Sequence, residues 1–238
     1  MTTRRVWMCR LLMSPVECGM ETQVNDSLAR WQARLEDRVR AAISEDASHD
    51  LHHVRRVWRL SQQIAAGERL TADLLVLMAA AYMHDIVNPP KDSPLRSQAS
   101  RLSAERATEW LAQLAFPGDK IPAVAHAIEA HSFSAGVCPR TIEAEILQDA
   151  DRMEALGAIG LARVFYVAGR LGSALFDPED PRGERRELDD RRFAVDHFAL
   201  KLLRLPERMN TRTGRRLAGE RGAFLRRYVD QLLLELEG

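Results

Sequence analysis

Along this chain apolar residues recur mostly at three- and four-residue spacing, the period of a helix buried on one side. Leu28, Trp31, Leu35 and Val39 share one such face, with Asp26 or Ser27 placed to cap it. Leu51, Val54, Val57, Trp58 and Ile64 mark a second helix, closed by Gly67. A third, Leu74 to Met83 with Thr71 as its cap, is apolar nearly all round, which places it at the centre of a bundle. It ends before Pro89-Pro90, because the residue ahead of a proline avoids the helical region. Further helices are expected over about 100–114, 122–130, 141–156, 189–203 and 213–236. The strand-like run 163–168 is read as helix, since a lone strand has no partner. Residues 132–140 and 176–187 read as loops. The expected fold class is all-α, a compact bundle of eight or more helices. It forms one domain over 25–238, after an N-terminal extension, 1–24, expected to be disordered.

Composition narrows the partners. Lys+Arg is 34 and Asp+Glu is 34, so the zero net charge gives no general attraction to nucleic acid or to an anionic membrane. The arginines at 182, 185, 186, 191 and 192 interleave with acids, which describes a solvated mixed-charge loop. Cys9, Cys18 and Cys138 are too few and too scattered for a disulfide framework and read as free thiols of a reducing compartment. No apolar stretch reaches the length of a membrane span, and no signal-peptide core stands at the N-terminus, so the expected compartment is the cytoplasm.

The chemistry concentrates around three of the seven-histidine neighbourhoods. His84-Asp85 ends the most apolar helix, where a carboxylate is disfavoured by the partly negative carbonyl end and by the adjoining core. A divalent cation would resolve both problems, with nitrogen from His and oxygen from Asp. Asp149 and Asp151, in Gln148-Asp149-Ala150-Asp151-Arg152, point about 200° apart around a helix, so at most one faces His84. The other suits a salt bridge, for instance Asp149 with Arg152. Upstream, His53 sits among apolar positions and points inward, His49 reads as a cap or surface residue, and His52 faces solvent. His197 reads as a packed or capping histidine.

The ordered set His53-x-x-Arg56-Val57, His84-Asp85, Ala130-His131-Ser132 and Asp149-Ala150-Asp151-Arg152-Met153-Glu154 resembles the HD-domain superfamily of metal-dependent phosphohydrolases, and its bacterial stand-alone branch in particular. The resemblance spans roughly residues 25–235. It implies one divalent metal on His53, His84, Asp85 and Asp151, with Mn²⁺ foremost and Fe²⁺, Co²⁺, Ni²⁺, Zn²⁺ or Mg²⁺ as alternatives. It further implies hydrolysis of a small phosphorylated substrate, a nucleotide. The favoured reaction is conversion of a (deoxy)nucleoside triphosphate to monophosphate and pyrophosphate. A nucleoside 5′-monophosphate phosphatase is the rival, and a non-catalytic nucleotide- or metal-sensing module the second class. In the guanosine-tetraphosphate hydrolases a Glu-Asp pair follows the doublet; here those positions are Asn88 and Pro89, which motivates the sensing reading. The candidates for proton transfer or phosphate stabilisation are therefore His126 and His131, while Lys91 and Arg96 are candidates for binding phosphate oxygens.

Overall fold

The computed structural model describes residues 15–42, 51–89, 93–132 and 135–237. Among them are nine α-helices: α1 Pro15–Arg40, α2 Leu51–Gly67, α3 Leu74–Met83, α4 Ala99–Gln113, α5 Ile121–His131, α6 Ile142–Met153, α7 Gly157–Leu171, α8 Asp196–Leu200 and α9 Arg212–Glu237. The extended pairing among these residues is a single bridge, Ala174 with Phe193. The fold is all-α, as the helical period predicts. No described helix is long and apolar enough to cross a membrane.

α3 is the axis. Every side chain from Val76 to Met83 is buried, and the helix packs against α1, α2, α5 and α6. Around it, Leu35 and Val39 from α1, Val54, Val57 and Ile64 from α2, Trp110 and Leu111 from α4, Val124 and Ile128 from α5, and Ile146 and Leu147 from α6 close one core. Each such large aliphatic side chain contributes about 1.5–3 kcal/mol when fully buried. A second apolar layer joins α7, α8 and α9 through Leu156, Phe198, Leu202, Met209, Ala218 and Leu225. Phe165, Phe198 and Tyr228 stack there with centroids 6.0–6.1 Å apart.

Several local expectations are corrected. α1 begins at Pro15, inside the segment read as an extension, so Asp26 and Ser27 lie within the helix rather than at its cap. The cap of α3 is Asp73, not Thr71: its carboxylate accepts from Leu75 N at 3.0 Å and Val76 N at 3.2 Å. The end of α3 is as expected, at Met83, and His84 takes the cap position. Gly67 is required by packing, since a Cβ there would lie 2.5 Å from Thr213 Oγ1 at the start of α9.

The largest departure is over 189–203, where one helix was expected. Residues 189–195 are turns instead, followed by the short α8 and a 3-10 segment, Leu202–Arg208, that contains Pro206. Side chains outcompete the helix there. Asp189 accepts from the amides of Arg191 and Arg192, while Asp196 accepts Asp189 N and a two-point contact from Arg186. Arg186, read as solvated, is thereby tied to Asp196 and covers the Phe193 ring at 4.5 Å.

Candidate metal centre and active site

Three helix ends and one helix face converge beside the core. His53 comes from the inward face of α2 and is buried with its neighbours Val54 and Val57. His84 caps α3 and is fully buried; Asp85 follows it in the turn. His131 is the last residue of α5. Asp151 lies in the last turn of α6. His84 and His131 share one local device: each donates Nδ1–H to the carbonyl three residues back, Ala81 O at 2.9 Å and Ile128 O at 2.5 Å. Those carbonyls are the ones a helix end leaves unpaired. The bond turns each Nε2 outward, away from its own helix.

The atoms meet closely. His53 Nε2 and His84 Nε2 are 3.2 Å apart. Asp151 Oδ1 lies 3.6 Å from the first and 3.7 Å from the second. Asp85 Oδ2 is 3.8 Å from His84 Nε2, and Asp85 Oδ1 is 3.4 Å from His131 Nε2. These form two overlapping sets, His53–His84–Asp151 and His84–Asp85–His131, joined at His84. With Nδ1–H of both His53 and His84 committed to oxygen acceptors, the two Nε2 atoms carry lone pairs that face carboxylates. Acceptors converging in this way repel one another unless a cation, a proton or a metal ion, sits between them. The spacing is near the roughly 3 Å edge of a coordination shell built from bonds of about 2.0–2.2 Å. Each set, two imidazoles and one carboxylate, offers nitrogen and oxygen donors that fit a borderline divalent ion.

The charges respond to this crowding. Burial pushes the His84 ring toward neutrality, but the Asp85 charge and the Asp151 hydrogen bond outweigh it and hold its pKa up at about 9. Burial likewise opposes ionisation of Asp151, yet its hydrogen bond to His84 and that ring's charge hold its carboxyl below the usual carboxylate range. In the metal-free protein His84 thus keeps a proton that a metal must displace. Metal uptake is expected to release about one proton near neutral pH. It should tighten about tenfold per pH unit until the His84 proton is gone, then level off. Calorimetric titration in buffers of differing ionisation enthalpy reads both; affinity flat across pH 6.5–8.5 would contradict this charge balance.

Two acidic groups that sequence reasoning placed differently now separate. Asp149 faces away from the cluster, to the start of α9. It accepts from Asn210 N and Thr211 N, both at 2.8 Å, from Thr211 Oγ1 at 2.8 Å and from Asn210 Nδ2 at 3.1 Å. Its role is to hold that chain segment rather than chiefly to pair with Arg152. Glu154, quoted in the motif but given no role, is nearly inaccessible; its carboxylate accepts from His53 Nδ1 at 3.4 Å and Arg56 Nε at 2.6 Å. It sets the tautomer and aim of His53, with Arg56 holding the carboxylate in turn. The signal that could have found it is the joint presence of Arg56, three residues after His53, and an acid three after Asp151. Glu154→Gln, which keeps the shape but loses the charge, is expected to weaken metal binding about 10–100-fold while the protein stays folded. Metal titration against a chelator reads the loss.

The cluster opens into a cavity of about 280 Å³ lined by His53, Asp85, His131, Asp151, Ser132 and the arginines 96, 152 and 163, among others. Asp85 and Asp151 keep 21% and 29% of their side chains exposed toward it. Of the remaining sequence candidates, Arg96 lines this cavity and is held by Asn88 Oδ1 and Pro89 O. The polar side chain at 88 thus positions an arginine. His126 is not brought to the cluster: its Nε2 accepts Arg140 N at 3.0 Å. Five residues before His131 on the same helix, it lies about 140° around the axis. Lys91 and His49 lie outside the described residues. Arg163, on α7, was not singled out from the sequence; it reaches the cavity because α7 folds back beside α6.

Comparison with known proteins agrees with this layout. The model of the HD domain family matches residues 50–156. An uncharacterized protein of Bacillus subtilis, YpgQ, is 36% identical over 208 residues, 84% of this chain and 91% of that protein. The structure of YpgQ in complex with ADP superposes with a TM-score of 0.68 at 31% identity, covering 87% of this chain and 96% of that one. An HD-superfamily hydrolase from Bacillus thuringiensis superposes with a TM-score of 0.69 at 27% identity, covering 89% and 99%.

Proposed function

The chain belongs to the HD-domain superfamily, and on that premise we propose that it is a divalent-metal-dependent phosphohydrolase that converts (deoxy)nucleoside triphosphates to monophosphates and pyrophosphate. The observation that carries this reading is the pairing of opposites in one cavity. An acceptor-rich cluster fit for a cation lies on one wall, and Arg96, Arg152 and Arg163 are among the residues that line the remainder. Several guanidiniums suit a polyphosphate better than a single phosphate ester. The ADP bound by the related YpgQ supports a nucleotide as ligand.

In this reading His53, His84, Asp85 and Asp151 hold the ion, Mn²⁺ foremost. When bound, such an ion supplies Lewis acidity and activates water near neutral pH. The chain's own residues do the rest. Glu154 and Ala81 O fix the aim of the two imidazoles. Arg96, braced by Asn88, receives phosphate oxygens, and its fixed fork favours two-point contact. His131, with Nδ1 committed to Ile128 O, presents Nε2 beside Asp85, where it can pass a proton or stabilise a phosphate oxygen.

The test is product analysis. The protein is stripped of metal, restored with Mn²⁺, Mg²⁺, Co²⁺ or Ni²⁺ singly, and offered nucleoside tri- and monophosphates. Pyrophosphate release supports the proposal, and phosphate release from monophosphates alone would replace it with the phosphatase. Nucleotide binding without turnover under every metal would replace it with the sensor.

A further inference from the structure

A second cavity, of about 210 Å³, adjoins the first. The two share Ala155 and Arg163 as a common wall. Its character differs sharply. Val164, Val167, Ala168, Leu171, Ala194 and Leu202 make it apolar, no Phe, Tyr or Trp ring lines it, and its polar groups cluster at Ser173, Asp190 and His197. His197 Nδ1 is bonded to Asp190 Oδ2 at 2.7 Å, and Lys201 Nζ is 2.5 Å from the same oxygen. Donating Nδ1–H to that carboxylate leaves His197 Nε2 an acceptor. Arg163 makes no hydrogen bond or ion pair with any described residue, although it stands between an apolar chamber and a cation site.

Small-molecule sites are mostly apolar chambers of about 300–1,000 Å³ with a few placed polar groups. Either cavity alone falls short of that range; joined, they enter it. We infer that the two cavities form one substrate site, in which the apolar chamber takes the nucleoside of the substrate. Arg163 binds phosphate oxygens where the chambers meet, and His197, aimed by Asp190, reads the polar edge of the base or sugar. This rests on the nucleotide reading above and adds to it the residues that select the organic half. A site without an aromatic stacking partner discriminates among bases through edge contacts, so His197 is a specificity-determining residue.

The experiment compares a nucleotide with inorganic tripolyphosphate, which carries phosphates and no nucleoside. Val167→Trp, which fills the chamber from a half-buried position, is expected to lower the dATP-to-tripolyphosphate ratio of kcat/KM by at least tenfold. Saturation-transfer NMR should show adenosine, which lacks phosphate, binding the wild-type protein and not this variant. Leu171→Glu, at a rim position that is 64% exposed, repeats the test in a variant whose folding is not at risk. His197→Leu should shift relative kcat/KM among the four deoxynucleotides by at least fivefold; an unchanged order would remove His197 from the site. If the ratio is unchanged and adenosine still binds the variants, the chamber is not the nucleoside site, while nucleotide hydrolysis by the wild type would leave the hydrolase reading standing. If the wild type hydrolyses nothing yet binds adenosine and Val167→Trp abolishes binding, the hydrolase reading fails and the chamber assignment holds.

Discussion

Asp85→Ala is expected to leave a folded protein that retains almost no metal and turns over substrate at least about a thousandfold more slowly. The carboxylate lies between two histidines, with one oxygen toward His84 and the other toward His131. Removing it deletes an anionic ligand and leaves His84, fully buried, with Asp151 as its nearest opposing charge. A bound cation supplies several kcal/mol of transition-state stabilisation, and each 1.36 kcal/mol is tenfold in rate, so its loss accounts for a change of this order. The side chain is partly exposed and outside the core, so melting should shift little once both proteins are measured without metal. Metal content by elemental analysis and steady-state kinetics on the same sample check the two halves. Full metal occupancy with full activity would remove Asp85 from the site.

Asp149→Ala should do the reverse. Asp149 is inaccessible and accepts from two backbone amides, one hydroxyl and one side-chain amide of Asn210 and Thr211. Truncation leaves these buried donors unpaired, at a cost of about 3 kcal/mol or more. For a chain of this size that lowers the melting temperature by roughly 6–12 °C. Gly214 makes the packing tight: a Cβ there would lie 2.4 Å from Asp149 Oδ2. Asp149→Asn should be milder than Ala but not neutral: its amide oxygen still accepts on one side, while its –NH2 faces the donors on the other. The wild-type carboxyl is also pushed above its ordinary value, because burial outweighs the donors facing it, so its ionised form is a net cost to the fold as pH rises. Metal stoichiometry should stay at the wild-type level in both variants. Asp85 and Asp149 would thus be separated, one by metal content and one by stability.

That separation bears on what the chain discloses before folding. The 3.6-residue period is a property of single helices, so α2 to α6 and α9 were legible to within a few residues, while only residues 163–168 of α7 were read as helix. Their ends were less so where a side chain further along competes, as Asp73 does with Thr71. The stretch 189–203 has helical spacing, yet Asp189 and Asp196 capture backbone amides that a helix would need. The ordered histidines and aspartates were legible as a set because buried polar groups on apolar helices demand a common explanation. Glu154 was not, because its meaning depends on His53, distant in sequence. Nor was Arg163, because a cavity shared by α7, the region around α4 and residue 205 has no signature in any one of them. His126 and His131 could not be told apart in position until the ending of α5 placed His131 beside Asp85 and His126 against Arg140.

The attachments of α9 carry a consequence for how the molecule is made. Thr213 N donates to Glu68 beside the end of α2, and Thr211 holds Asp149 on α6, pairs 145 and 62 residues apart in sequence. These are the two helices that carry His53 and Asp151. A ribosome has synthesised every proposed ligand by residue 151, but the brace that seats their helices is encoded only around 210–214. Long-range contacts of this kind close late. On the proposed reading, all the donors of the nascent chain are thus made before this brace can close on the helices that carry two of them, and full affinity for an ion is expected only once it has closed.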